Sequence, residues 1–195
     1  MKHRLVIVAA FFALSCSVAH SQSGTSQIKN EAEQRKVKVK NGKSIERDKS
    51  KPVRKAIEAW YDLNIQAFNK KDLVAVMALR TEDFHTTTPD GKLNTRADME
   101  AYTRRLLDRI DHFISQDFPE IGTIDVQGDL ASADVTQKTV RMQRLPDGTL
   151  HKVEARVVQR ETWKHTAQGW KMYTVDNIRD SNILIDDKPY QPAPH

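Results

Sequence analysis

Between residues 53 and 69 the apolar side chains Val53, Ile57, Trp60 and Phe68 fall close to one helical stripe, interrupted by Asn64. Arg54, Lys55, Glu58 and Asp62 lie mostly elsewhere. That spacing predicts an amphipathic helix laid on a core. Asp72 then stands where an N-cap would open a short second helix over "LVAVMALR". "DFHTTT" reads as a strand rich in Phe and Thr, closed by the turn "PDG" at 89–91. Thr95, with Asp98 three residues later, resembles a capping box. It predicts a third helix with Met99, Tyr102, Leu106 and Ile110 on its apolar side.

After Ile110 only strand signals follow: "GTIDVQG", "LASADVTQKTVRMQRL", a second "PDG" at 146–148, "LHKVEARVVQRETWKHT", a loop at "AQG", and "GWKMYTVDNIRD". Helices first and antiparallel strands afterwards is an α+β layout, with about three helices on one face of a curved sheet.

The turns set the expected registers. If Asp147-Gly148 is a two-residue hairpin turn, Val140 and Met142 share a face with Val153, Ala155 and Val157. Ala133 and Val135 have the opposite parity, so a β-bulge is expected near Gln137–Thr139. Arg141, Glu154 and Arg156 then form a charge-compensated patch on the other face. A two-residue loop before Gly169 places Gln159, Glu161 and Trp163 on the face of Met172, Thr174 and Asp176. Glu161 and Asp176 become near neighbours across adjacent strands.

The chain ends carry different signals. Residues 1–21 combine Lys2, His3 and Arg4 with an apolar run from Leu5 to Leu14, then small residues with Ala19 and Ser21 before a cut. This is the pattern of a secretory signal peptide, too short to span a membrane. Cys16 is the only cysteine, so no intramolecular disulfide can form. It either leaves with the signal or, in a partial lipoprotein box "ALSC", becomes a lipidated first residue that ties the protein to a membrane. The expected location is secreted or periplasmic.

Residues 22–52 carry nine Lys/Arg against four Asp/Glu, whereas residues 53–195 carry twenty against twenty-two. The basic balance belongs to a tether of low apolar content that cannot offset the entropy of ordering. It has no aromatic side chain, and the body is slightly acidic, which argues against nucleic acid as a partner. The expected organisation is a signal over 1–21, a tether over 22–52, one domain over 53–180 and a C-terminal extension over 181–195.

The leading helix with Trp60 and Tyr61, then "FNKKDLVAVMALRTEDF" and "TPDGKLNTRADMEAY", resembles the start of the nuclear transport factor 2-like superfamily. "ETWKHTAQGWKMYTVDNI" is similar to its last hairpin, notably in SnoaL-like and related domains of unknown function. The resemblance covers most of 53–180. It implies a cone-shaped α+β barrel with a curved antiparallel sheet, open at one end and often dimeric through the outer sheet face. Relatives include hydratases, isomerases, cyclases and oligomerisation modules, so activity must come from the site itself.

Candidate chemistry centres on Asp176 and Glu161, because two neighbouring carboxylates in an apolar cone cannot both ionise cheaply. The competing reading makes Asp176 a strand end and pairs Glu161 with a cation. Tyr61 is a possible partner for the acid, by resemblance to an isomerase of this fold that pairs the two. His85 is a candidate proton shuttle near the pocket mouth. Trp60, Phe84, Gln159, Trp163, Met172 and Thr174 are candidate ligand contacts, although Trp60, Trp163, Trp170 and Met172 suit a core equally well. No His, Cys or carboxylate spacing suggests a metal site, and no phosphate loop or nucleophile elbow occurs, so no cofactor is expected. The expected function is binding of a small, largely apolar molecule by a homodimer. Lyase or isomerase chemistry and a partner-binding module without catalysis are the alternatives.

Overall fold

In the computed structural model, which describes residues 50–190, helix α1 (Ser50–Asn69) buries the predicted stripe together with Tyr61, Asn64 and Ala67. The residues of the proposed signal, Cys16, most of the tether and 191–195 lie outside the described residues. Helix α2 (Leu73–Ala78) starts at Asp72, whose side chain accepts from the Ala75 amide. Helix α3 (Arg96–Arg109) opens with the full capping box: Thr95 and Asp98 exchange side-chain and backbone hydrogen bonds. Its buried side holds Thr103, Leu106 and Leu107.

The strands are β1 (Arg80–Thr87), β2 (Leu93–Thr95), β3 (Ile110–Ile121), β4 (Asp125–Gln127), β5 (Leu130–Arg144), β6 (Leu150–Thr166), β7 (Gly169–Ile185) and β8 (Lys188–Pro189). They form one sheet in the order β2-β1-β7-β6-β5-β3, with β4 beside β5 and β8 beside β7. The sheet is mixed, because β1 runs parallel to β7; an antiparallel sheet throughout was expected. β3 reads poorly in sequence because "DHFISQDFPEI" alternates weakly and its pairing with β5 is broken by three register shifts. The extension expected from 181 is continuous with the domain, since β7 runs on to Ile185 along β6.

Both hairpins differ from expectation by one residue, for separate reasons. At the first, Leu145 and Thr149 pair across Pro146-Asp147-Gly148, and Gly148 takes a φ of +85°. This is a three-residue loop whose glycine occupies the left-handed position, not a two-residue turn. One residue of slip exchanges every side chain between faces. Arg141 therefore pairs with Val153, Thr139 with Ala155 and Gln137 with Val157. All odd-numbered residues from Ala131 to Gln143 are buried, while Val140 and Met142 are half-buried on the other face. Arg141 is inside, correcting the expected surface patch with Glu154 and Arg156. No bulge interrupts β5 against β6; the extra residues lie on β3, one at each of its three shifts, the last between Asp117 and Glu120, opposite Lys138 and Thr136.

At the second hairpin the turn is the expected two residues, Thr166 pairing with Gly169 and Trp163 with Met172. A shift then follows, so Thr162 pairs with Thr174 and Glu161 with Val175. Asp176 moves opposite Arg160, away from Glu161, correcting the proposed carboxylate pair.

The main core joins α1 to the sheet through Val53, Ile57, Trp60 and Tyr61, which meet Ala131, Ala133, Val135, Trp163, Met172 and Val175. Trp60, Tyr61 and Trp163 meet edge to face, at 5.1 to 6.5 Å between ring centroids.

Candidate functional site

Glu161 sits in the middle of β6 with 0% exposure. The alternation of β6 turns it, Gln159 and Trp163 inward, and α1 closes over them. Its Oε2 accepts from the Tyr61 hydroxyl at 2.6 Å. Its Oε1 accepts from Gln159 Nε2 at 2.7 Å and from Gln137 Nε2. Among the described residues no cation lies within ion-pair distance of the carboxylate.

Burial pushes the Glu161 carboxyl above its ordinary value, opposed by the hydrogen bonds from Tyr61, Gln159 and Gln137 and by the more distant Arg80 charge. Burial and the adjacent carboxylate push the Tyr61 phenol well above 10. Burial also lowers Arg80 to about 10, against the attraction of Glu161. Arg80 packs its guanidinium over Phe84 and donates to the Val76 carbonyl.

Glu161 opens onto a cavity between α1, α3 and the sheet. One side is apolar: Trp60, Phe68, Phe84, Met99, Leu106, Met172 and Val175. The other carries Asn64, Arg80, Thr86, Gln137 and Gln159 around the acid. The room that admits a water-sized sphere is about 40 Å³, enough for two or three waters.

Two acceptors on this wall meet no donor among the described residues, Gln159 Oε1 and Asn64 Oδ1. The Gln159 amide cannot turn round to relieve this, since its Nε2 is held by Glu161. The cavity wall therefore carries two unpaired acceptors alongside the Arg80 guanidinium.

The expected site residues divide cleanly. Trp60, Phe84, Gln159, Met172 and Glu161 line the cavity, and Tyr61 reaches it through Glu161. Trp163 is fully buried core and packs on Tyr61 and Trp60. Thr174 and Asp176 face each other at 3.4 Å away from the cavity wall. His85 lies outside it as well. β1 turns Phe84 and Thr86 inward, so His85 points to a surface groove with Glu82, Asp83 and Arg96, its ring edge to face with Tyr173. Arg80, Gln137 and Asn64 were missed. Asn64 was visible as the polar break in the α1 stripe, and Gln137 only once the register of β5 was known.

No protein-family model matches the chain, and no curated protein matches it. Solved structures do. A conserved protein from Planctomyces limnophilus superposes with a TM-score of 0.50 at 15% identity, over 69% of this chain and 98% of its own. A candidate dehydratase of the NTF2-like family from Streptomyces avermitilis gives 0.53 at 14% identity, over 66% and 95%. A candidate aromatic ring hydroxylase from Novosphingobium aromaticivorans gives 0.54 at 18%, over 68% and 92%. At these identities the likeness is one of fold.

Proposed function

We propose that this chain, which has the nuclear transport factor 2-like fold, binds a small molecule in the cavity around Glu161. The molecule has an apolar body and a hydrogen-bond-donating end, such as a hydroxyl or amino group. The donor end meets Gln159 Oε1, Asn64 Oδ1 and Glu161, and the body lies on Trp60, Phe84, Met99 and Met172. The observation that carries this reading is the locked Gln159 amide, whose buried oxygen meets no donor among the described residues, on a side chain that lines the cavity. A ligand larger than two or three waters enters as Met99, Tyr102 and Leu106 of α3 rotate aside. In this reading the protein is exported through residues 1–21 and works as a pair of copies.

Native mass spectrometry of the full chain isolated from its producing cells tests this. Wild type and Asp176→Asn are expected to retain the same non-covalent adduct, and Gln159→Met to lose it. Equal retention by Gln159→Met sinks the reading.

A second reading, acid-base catalysis of the lyase or isomerase type, is favoured by one observation: a carboxyl of raised pKa bonded to a tyrosine at 2.6 Å. Deuterium wash-in at the α-carbon of simple cyclic ketones would reveal it. Loss of wash-in with Glu161→Gln is expected, and its absence in wild type would remove this reading while leaving binding intact.

A further inference from the structure

At the far end of β5 from Glu161 lies a second buried charge that the cavity does not use. Arg141 is 1% exposed. No carboxylate among the described residues lies within 4 Å of it. Among the described residues its side-chain hydrogen bonds go to neutral groups: Nε donates to Gln143 Oε1 at 2.7 Å and Nη1 to Thr139 Oγ1 at 3.1 Å, with the Tyr102 phenol also close enough to act on its charge. Nη2 is buried with no acceptor among the described residues. Burial lowers the group to about 10, so it remains a cation at neutral pH. An unpaired buried cation is strongly destabilising, and proteins rarely keep one without a counter-charge.

The positions of the partners indicate what that counter-charge is. Nε and Nη2 form one edge of the guanidinium plane, the pair of parallel donors that grips a carboxylate side-on. Here one donor holds an amide oxygen and the other holds nothing, which is half of such a grip. Gln143, which supplies the oxygen, also lines a cleft with Tyr102, Arg105, Leu106 and Arg109. Arg105 is exposed and Arg109 half-buried, and neither is in an ion pair with a described residue. The rim is therefore cationic, and its wall is one side chain from the guanidinium.

We propose that Arg141 is the floor of an anion site, entered between Tyr102 and Gln143, that takes the carboxylate of a small monocarboxylic acid. The Gln143 side chain swings aside, and its oxygen is replaced on Nε by one carboxylate oxygen while the other meets Nη2. A single negative charge neutralises the single buried positive one. A dianion would leave an excess charge in the same apolar setting. The cleft admits about 30 Å³ of water-sized space, room for roughly two waters or a carboxylate head group, with the tail running out past Arg105 and Arg109. Arg141 lies four residues further along β5 than Gln137, or roughly 13 Å, and the cleft shares Tyr102 and Leu106 with the wall of the Glu161 cavity. The anion contacts of Arg141 are distinct from those of Glu161.

The test is titration of the full chain, labelled with 15N-arginine, with sodium acetate against sodium chloride at equal ionic strength, and separately with inorganic phosphate. One arginine Nε–H resonance is expected to shift saturably with acetate and not with chloride or phosphate. Arg141→Met should abolish that shift while keeping the fold, because an apolar side chain of similar reach replaces an unpaired charge. Gln143→Ala should bind acetate roughly tenfold more tightly, since Nε no longer has to be released first. No saturable shift in wild type, a shift that survives Arg141→Met, or a response to phosphate in place of acetate each overturns the proposal. If Arg141→Met does not fold, the Gln143→Ala titration decides: affinity equal to or weaker than wild type overturns the gate and the site with it.

Discussion

Replacing Glu161 by Gln turns the burial of that carboxyl into a measurable dependence on pH. The folded protein holds the group above its ordinary value of 4.5, with burial the largest cause. A folded carboxyl that binds its proton more tightly than the unfolded one stabilises the fold most at acid pH. That contribution is lost as pH rises through the folded value. Each pH unit of displacement corresponds to about 1.4 kcal/mol. Gln has the shape to stay in place. Its carbonyl can accept from Gln137 and Gln159, and its amide can donate to the Tyr61 oxygen. The stability of wild type relative to Glu161→Gln should therefore fall between pH 5 and pH 8, read from urea midpoints at each pH.

The difference cancels groups common to both proteins. These include the lowered carboxylates Asp83, Asp98, Asp111, Asp147 and Asp186, which cost stability as pH falls below their ordinary range. Tyr61→Phe gives the internal check. It removes a hydrogen bond that favours the ionised form, and should move the falling limb to higher pH. A wild type minus Glu161→Gln difference that is flat from pH 5 to 8, or that rises, refutes the reasoning.

Three other changes follow from the packing. Ile57→Ala empties a fully buried site on α1 and should cost roughly 2–5 kcal/mol by urea denaturation; a loss below about 1 kcal/mol would mean that α1 does not anchor the core. Gly148→Ala meets open space but forces a side chain onto a φ of +85°, so it should cost about 1 kcal/mol, and no loss in melting temperature would reject the three-residue loop. Asp176→Asn, on a half-buried outer position opposite Arg160, should leave stability within about 0.5 kcal/mol, and a larger loss would return Asp176 to the interior.

The elements were legible where one local interaction decides them. The α1 stripe, the Asp72 cap and the Thr95–Asp98 box are settled within one or two turns of chain, and each formed as expected. The fold also showed, because helix-then-strand order constrains how such a chain can pack. The site was less legible because it depends on register, and register is decided at a few turn residues. Gly148 in a left-handed conformation adds one residue to the first hairpin, and a shift between Thr162 and Trp163 displaces the second pairing by one.

The first slip carries Arg141 from the surface to the interior, and the second carries Asp176 from the pocket to the outside. Glu161 stayed inside in both registers, since its face is set by Trp163 and Gln159 on its own strand. Its partners could not be foreseen with the same security. Tyr61 lies 100 residues away in sequence and Gln137 lies 24 away, so their meeting with Glu161 depends on the accumulated geometry of two helices and five strands. The polar residues that broke an apolar pattern, Asn64 on α1 and Gln137, Arg141 and Glu161 on the sheet, all proved to face inward. In a conical fold such breaks are where chemistry enters an otherwise apolar wall, because a buried polar group persists only when something satisfies it. Glu161 is satisfied from within the chain by three donors. Among the described residues, nothing satisfies Gln159 Oε1 or Arg141 Nη2. That asymmetry points outward from the protein, at one end to a donor and at the other to an anion.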